Sequence, residues 1–182
     1  MDDTAQRSGL AWYWLLPAAF LVHDAEELLT LPTWVVSHRA ELAVLAQELG
    51  AGDRALAILP TTTSATACAI GLLATGFAVV TWGAQRAGGH GAWQVGFAVL
   101  LGGFFLHGFT HLAQVAYFGA YVPGAATAAF VVLPASLYLY ARLKRAGLLC
   151  MRHAAIHAAL GLALFVPAVI LALAVGTALC VR

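Results

Sequence analysis

The segment His23-Asp24-Ala25-Glu26-Glu27 constrains the fold most, because it interrupts an apolar run from Leu10 to Val22 that resumes at Leu28, Leu29 and Leu31. Three of the chain's eight acidic residues fall in these five positions. On a helix, His23, Glu26 and Glu27 are spaced i, i+3, i+4 and project from one face, while Asp24 points about 100° away from His23. One imidazole and two carboxylates therefore converge inside an apolar helix. An ionised group near the middle of a bilayer costs about 2.5–3.5 kcal/mol on insertion scales and is rare unless paired or functional. Something must compensate Glu26 and Glu27. The candidates are nine Lys and Arg, nearly all outside the apolar runs, and seven His, four of which form the helix-spaced pairs His107/His111 and His153/His157.

Composition supplies the bilayer. With 62% hydrophobic residues, 9% charged residues and a mean hydropathy of +0.87, the chain is too apolar for a soluble globule of 182 residues. A net charge of +1 without a basic tract gives no support for nucleic-acid binding or polybasic lipid capture. Cys68, Cys150 and Cys180 are scattered along apolar runs and read as small buried hydrophobes, not as a disulfide or zinc framework. Asp2 and Asp3, with a first apolar run that continues into the acidic cluster, do not look like a cleaved signal peptide.

The expected architecture is all-α: a single integral membrane helical domain over residues 1–182, with about five transmembrane helices and one amphipathic interfacial helix. Ser8 and Gly9 can open a first helix carrying Trp12, Tyr13 and Trp14 as an aromatic belt at the membrane boundary, ending near Thr30 before Pro32. Residues Thr33 to Leu49 mix apolar and charged side chains in the pattern of an interfacial helix. Gly50-Ala51-Gly52 breaks it, and Asp53 is placed to cap a second span from about Ala55 to Trp82, with Pro60 and Thr61-Thr62-Thr63-Ser64 in its first half. A third span, Ala92 to Phe118, carries His107, His111 and Gln114 at i, i+4, i+7 on one face, together with Gly102 and Gly103 that allow close helix approach. Tyr121-Val122-Pro123-Gly124 is a tight turn. A fourth span follows from Ala125 to Tyr140, and the last runs from Arg152 to Val181 with a bend at Pro167.

Five spans put Arg7, Arg86, Arg142, Lys144, Arg145 and Arg152 on one side and Arg39, Arg54 and Arg182 on the other, which favours a cytoplasmic N-terminus. At about 1.5 Å per residue from that side, His23 and His107 lie at similar depths of about 20 and 22 Å, and His157 at less than about 10 Å.

Carboxylates and imidazoles facing one another inside a helical bundle are the ligand set that holds iron, manganese or zinc, and paired Glu with His is how di-iron bundles are built. The bland alternative is a structural strut between a protonated histidine and one glutamate. The expected metal ligands are His23, Glu26, Glu27, His107 and His111, with His157 a sixth candidate; either Glu26 or Glu27 can serve instead as catalytic base. His153, His157 and Gln114 also have ordinary interfacial or helix-packing explanations. His38 and His90 fall in a surface helix and a loop. The first histidine is followed by Glu at i+3 and i+4, which does not match a metalloprotease HExxH, and no nucleophile elbow, Walker loop or dinucleotide fingerprint is present.

With those residues in view, the sequence resembles the HXXEE family of small bacterial integral membrane proteins, whose motif stands here as His23-Asp24-Ala25-Glu26-Glu27. A histidine from a later helix is matched by His111, and a Tyr-x-Pro-Gly-x-x-Thr-Ala turn by Tyr121-Val122-Pro123-Gly124-Ala125-Ala126-Thr127-Ala128, with Pro134 beyond it. The similarity covers roughly His23 to Tyr140. Where the family has an amide-type residue one turn before its histidine, this chain has His107. The resemblance implies a membrane protein of unassigned activity and leaves the reaction open.

The expectation is a metal-dependent enzyme of the bacterial cytoplasmic membrane, holding iron or zinc, as one ion or two, and acting by oxidation or hydrolysis on a lipid-like or apolar small molecule. The bilayer and that substrate are its partners, nucleic acid is not, and a homo-oligomer is allowed. Two other classes stay open: a metal-free isomerase or cyclase using a buried glutamate, and a proton-coupled transporter or structural membrane subunit.

Overall fold

A computed structural model of the chain describes residues 10–51 and 56–180, and among these every regular element is helical. A 3-10 turn at Ala11–Trp14 leads into α1 (Leu15–Ser37), followed by α2 (Arg39–Glu48), α3 (Thr63–Arg86), α4 (Gly91–Phe118), α5 (Ala125–Arg145) and α6 (Met151–Cys180). Four of them, α3, α4, α5 and the Arg152–Leu179 stretch of α6, are long and apolar enough to cross a membrane. The 23 residues of α1 match them in length but carry Asp24, Glu26 and Glu27. Ser8, Gly9, Asp53 and Val181 lie outside the described residues.

Several boundaries differ from the expected ones. Pro32 does not end α1; the helix passes through it to Ser37, and the break comes at His38. Hydroxyls on that stretch bond back to the helix, Thr30 Oγ1 to the Glu26 carbonyl at 2.7 Å and Ser37 Oγ to that of Trp34 at 3.0 Å. The second span begins at Thr63, later than expected: the chain is non-helical at Pro60, and Thr62 caps the new helix, its side chain accepting from the Ala65 amide at 3.3 Å; Ala55 lies outside the described residues. The fourth span reaches Arg145 and contains a π turn at Ala128–Val132. Pro134 follows at once, and the wider turn accommodates its ring and missing N–H.

Contacts along the bundle fix the helix directions. Tyr13 meets Phe97, Phe20 meets Phe104 and His23 meets His107, so α1 runs parallel to α4. His107 packs on Phe165 while Gly102 faces Ala158, so α6 is parallel to both. Helix α3 is antiparallel to them, with Gly83 under Trp93 at one end and Ala65 against Gly176 at the other. Helix α5 is antiparallel too, with Val132 beside Gly108 and the Arg142 guanidinium 5.2 Å from the Trp12 ring.

Tyr13, expected in a boundary belt, is fully buried and donates to Gln94 Oε1 at 2.6 Å. A buried phenol needs such a partner, so the ring joins the core while Trp14 stays exposed. Cys150 is exposed and Cys68 half-buried, so neither is the fully buried hydrophobe expected; the Cys180 side chain lies outside the described set.

Helices α4 and α6 approach through glycine. A methyl at Gly103 would stand 2.7 Å from the Gly161 carbonyl oxygen, and one at Gly161 would strike the Val99 carbonyl and the Gly103 nitrogen. Gly161→Ala is therefore expected to destabilise the bundle by about 1–3 kcal/mol through overpacking against rigid backbone. Gly71→Ala on α3, where nothing stands within 4 Å of the added methyl, serves as control. Thermal unfolding in detergent compares them, and an equal effect would contradict this packing.

Candidate metal centre

The parallel setting of α1 and α4 brings the motif histidine of one helix against the histidine pair of the other. His23, Glu27, His107 and His111 each offer one ligand atom, and these atoms all lie within 4.8 Å of one another. Glu27 Oε1 is 3.3 Å from His111 Nε2 and 3.8 Å from His23 Nε2, and the Nε2 atoms of His107 and His111 are 3.0 Å apart. The i, i+4 spacing of His23 with Glu27 and of His107 with His111 stacks each pair on one helix face. His23 and His111 are buried, and His23 Nε2 has no hydrogen-bond partner.

Below the cluster the floor is aromatic. His23 sits edge-on to Phe104 at 6.0 Å between ring centroids, and Phe20 stacks on Phe77 at 4.2 Å. The opposite side is closed by the turn before α5. Gly124 there adopts φ +81°, and a methyl on it would stand 2.8 Å from Cε1 of both His23 and His111 and 3.0 Å from Glu27 Oε1. The turn rests directly on three of the four candidate ligands.

Glu26 points elsewhere. Its Oε2 accepts from the Thr127 amide at 2.8 Å and the Thr127 hydroxyl at 2.6 Å, and its Oε1 accepts from the Tyr121 hydroxyl at 2.6 Å and the Ala126 amide at 3.4 Å. This carboxylate thus satisfies free amides at the start of α5, where the helix dipole favours an anion. Tyr121 lies in the turn, and partial burial together with its bond to Glu26 pushes its phenol above the ordinary range.

The other candidates lie apart. His157 is level with Gly102 through Ala158, about 7.5 Å of helix rise short of His107. His153 is exposed, 6.4 Å from His157 between ring centroids. His38 stacks on Trp34 and His90 is exposed at the start of α4. Gln114 lines the cavity beside the cluster without belonging to it.

That cavity, about 170 Å³, is lined by Glu27, His107 and His111 together with apolar Phe20, Leu73 and Phe165. Asp24 lines it as well, buried, its Oδ2 without a hydrogen-bond partner. Helical spacing alone puts Asp24 off the face shared by His23, Glu26 and Glu27; the signal for it in the sequence is its place as a third acid inside the same apolar run. A second, wholly apolar groove of about 340 Å³ between α3, α4 and α6 shares Leu73 and Phe165 with the cavity.

No curated protein and no solved structure matches the chain. A family model described as a protein of unknown function with HXXEE motif matches residues 14–139, which include the whole of the His/Glu cluster and the turn that closes it. The chain belongs to the HXXEE family.

Proposed function

We propose that this chain is a membrane-embedded metal-dependent enzyme in which His23, Glu27, His107 and His111 hold one divalent ion beside a cavity for an apolar small molecule. The observation that carries the reading is the spacing of the donor atoms. Ligand atoms about 2.0–2.1 Å from a tetrahedral zinc are about 3.3 Å from each other, and separations of 3.0, 3.3 and 3.8 Å approach that figure. An ion would also answer the orphaned His23 Nε2. Three imidazoles and a carboxylate suit zinc or iron, and when bound such an ion supplies Lewis-acid polarisation or an activated water, with redox chemistry added by iron.

The apolar walls of the cavity and the groove behind Phe165 and Leu73 support a lipid-like substrate. In this reading α1 is the fifth span, α2 lies at the interface, and the basic last turn of α5 belongs to the cytoplasmic side with the N-terminus. Metal analysis of the protein purified in detergent is the direct test, with about one zinc or iron per chain expected for a single tetrahedral site. Absence of bound metal, together with no uptake of added Zn(II) or Co(II), would end the proposal. The approach of Glu27 to His111 at 3.3 Å also suits a metal-free acid/base pair, and turnover that survives chelation would favour it.

A further inference from the structure

We infer that the two glutamates of the motif do different work: Glu26 acts through Thr127 as a positioning residue that fixes which nitrogen of His23 carries the proton. The inference deepens the metal-centre reading above and rests on it for its consequence, although the hydrogen bonds that carry it do not involve an ion.

The chain of donors has one direction. Backbone amides can only donate, and two of them, from Thr127 and Ala126, point at Glu26. Glu26 is therefore the acceptor of this network. The Thr127 hydroxyl has a single proton, and it lies 2.6 Å from Glu26 Oε2 against 3.3 Å from the Gly124 carbonyl, so the proton is committed to the carboxylate. Thr127 Oγ1 is then left with lone pairs, and His23 Nδ1, 2.9 Å away, must donate to it. A neutral imidazole with its proton on Nδ1 presents a bare Nε2, which is the atom that faces Glu27 and lacks any hydrogen-bond partner. Two acceptors facing each other across 3.8 Å in a buried site are the arrangement a cation resolves. A carboxylate acting through a hydroxyl thus does for His23 what outer carboxylates do for metal-bound imidazoles elsewhere.

The test reads the tautomer directly, by two-bond 15N–1H correlation spectra of histidine-labelled, metal-free protein in detergent micelles, with His23 assigned by its loss in His23→Gln. Wild-type protein is expected to show His23 protonated on Nδ1 and bare on Nε2; a proton found on Nε2 overturns the inference, whatever the variants do. Thr127→Ser, which keeps the hydroxyl, should retain both the tautomer and Zn(II) affinity. Thr127→Val, close in shape, should mix the tautomers and weaken Zn(II) binding about 10–100-fold. Unchanged affinity and tautomer in a folded Thr127→Val protein would also overturn it. If the wild-type tautomer is as stated but Zn(II) does not bind, the positioning role stands and the metal-centre reading falls.

Discussion

Glu27→Gln is expected to abolish tight ion binding, whereas Glu26→Gln, one residue earlier in the same motif, leaves most of it. Glu27 Oε1 lies within 3.8 Å of both His23 Nε2 and His111 Nε2, so its negative charge sits where the ion would. Glutamine fills the same volume but offers a neutral oxygen, and a lost anionic ligand should exceed the roughly 10–100-fold penalty of a lost outer partner. Glutamine at position 26 can keep its oxygen on the Thr127 amide and hydroxyl and turn its NH2 toward the Tyr121 oxygen, so the bonds to Thr127 survive and the long one from the Ala126 amide, at 3.4 Å, is lost. Its affinity should stay within about tenfold of wild type, at the mild end of that range. Titration of each variant with Co(II), followed by visible absorption, separates the two positions. Equal losses would mean that the glutamates share one role, against the geometry.

The division between them shows what spacing could and could not reveal. Successive residues on a helix are rotated by about 100°, so a face centred on His23 and Glu27 has Glu26 on one flank and Asp24 on the other. Periodicity identifies that face, but which flank meets the cavity depends on where the turn before α5 packs. That turn took the Glu26 side, supplying Tyr121, Ala126 and Thr127 as donors, and Asp24 was left to line the cavity. Helices α4 and α6 were legible almost to the residue, since long apolar runs bounded by Gly91 and Gly119 or by the basic loop leave few alternatives. His107 and His111 followed from their i, i+4 spacing. Pro32 and Tyr13 were not legible in this way. A proline inside a helix removes one ladder bond, and whether the helix ends there depends on the packing around it; a tyrosine leaves the boundary for the core when a partner such as Gln94 waits there. Both outcomes are settled by tertiary neighbours.

Gly124 is the position where such a neighbour matters most, and Gly124→Ala should cost the centre about as much as losing Glu27. Its sequence context indicates a turn, and a left-handed conformation costs an alanine about 1–2 kcal/mol wherever it occurs. The added methyl here would also press on His23 and His111 at 2.8 Å and on Glu27 Oε1 at 3.0 Å, forcing apart groups that would converge on the proposed ion. Gly119→Ala separates strain from contact, because Gly119 also has a positive φ, +63°, but nothing lies within 4 Å of a methyl added there. Both variants should lose some thermal stability. Only Gly124→Ala should lose Co(II) binding. If Gly119→Ala lost it equally, backbone strain would be the cause; if Gly124→Ala bound Co(II) like wild type, the turn would not be the wall of the site. A turn that holds three side chains against one another explains why Tyr121 to Thr127 belongs to the candidate centre although none of its residues is among the candidate ligands: α1 and α4 deliver the donors, and the turn fixes how closely they meet.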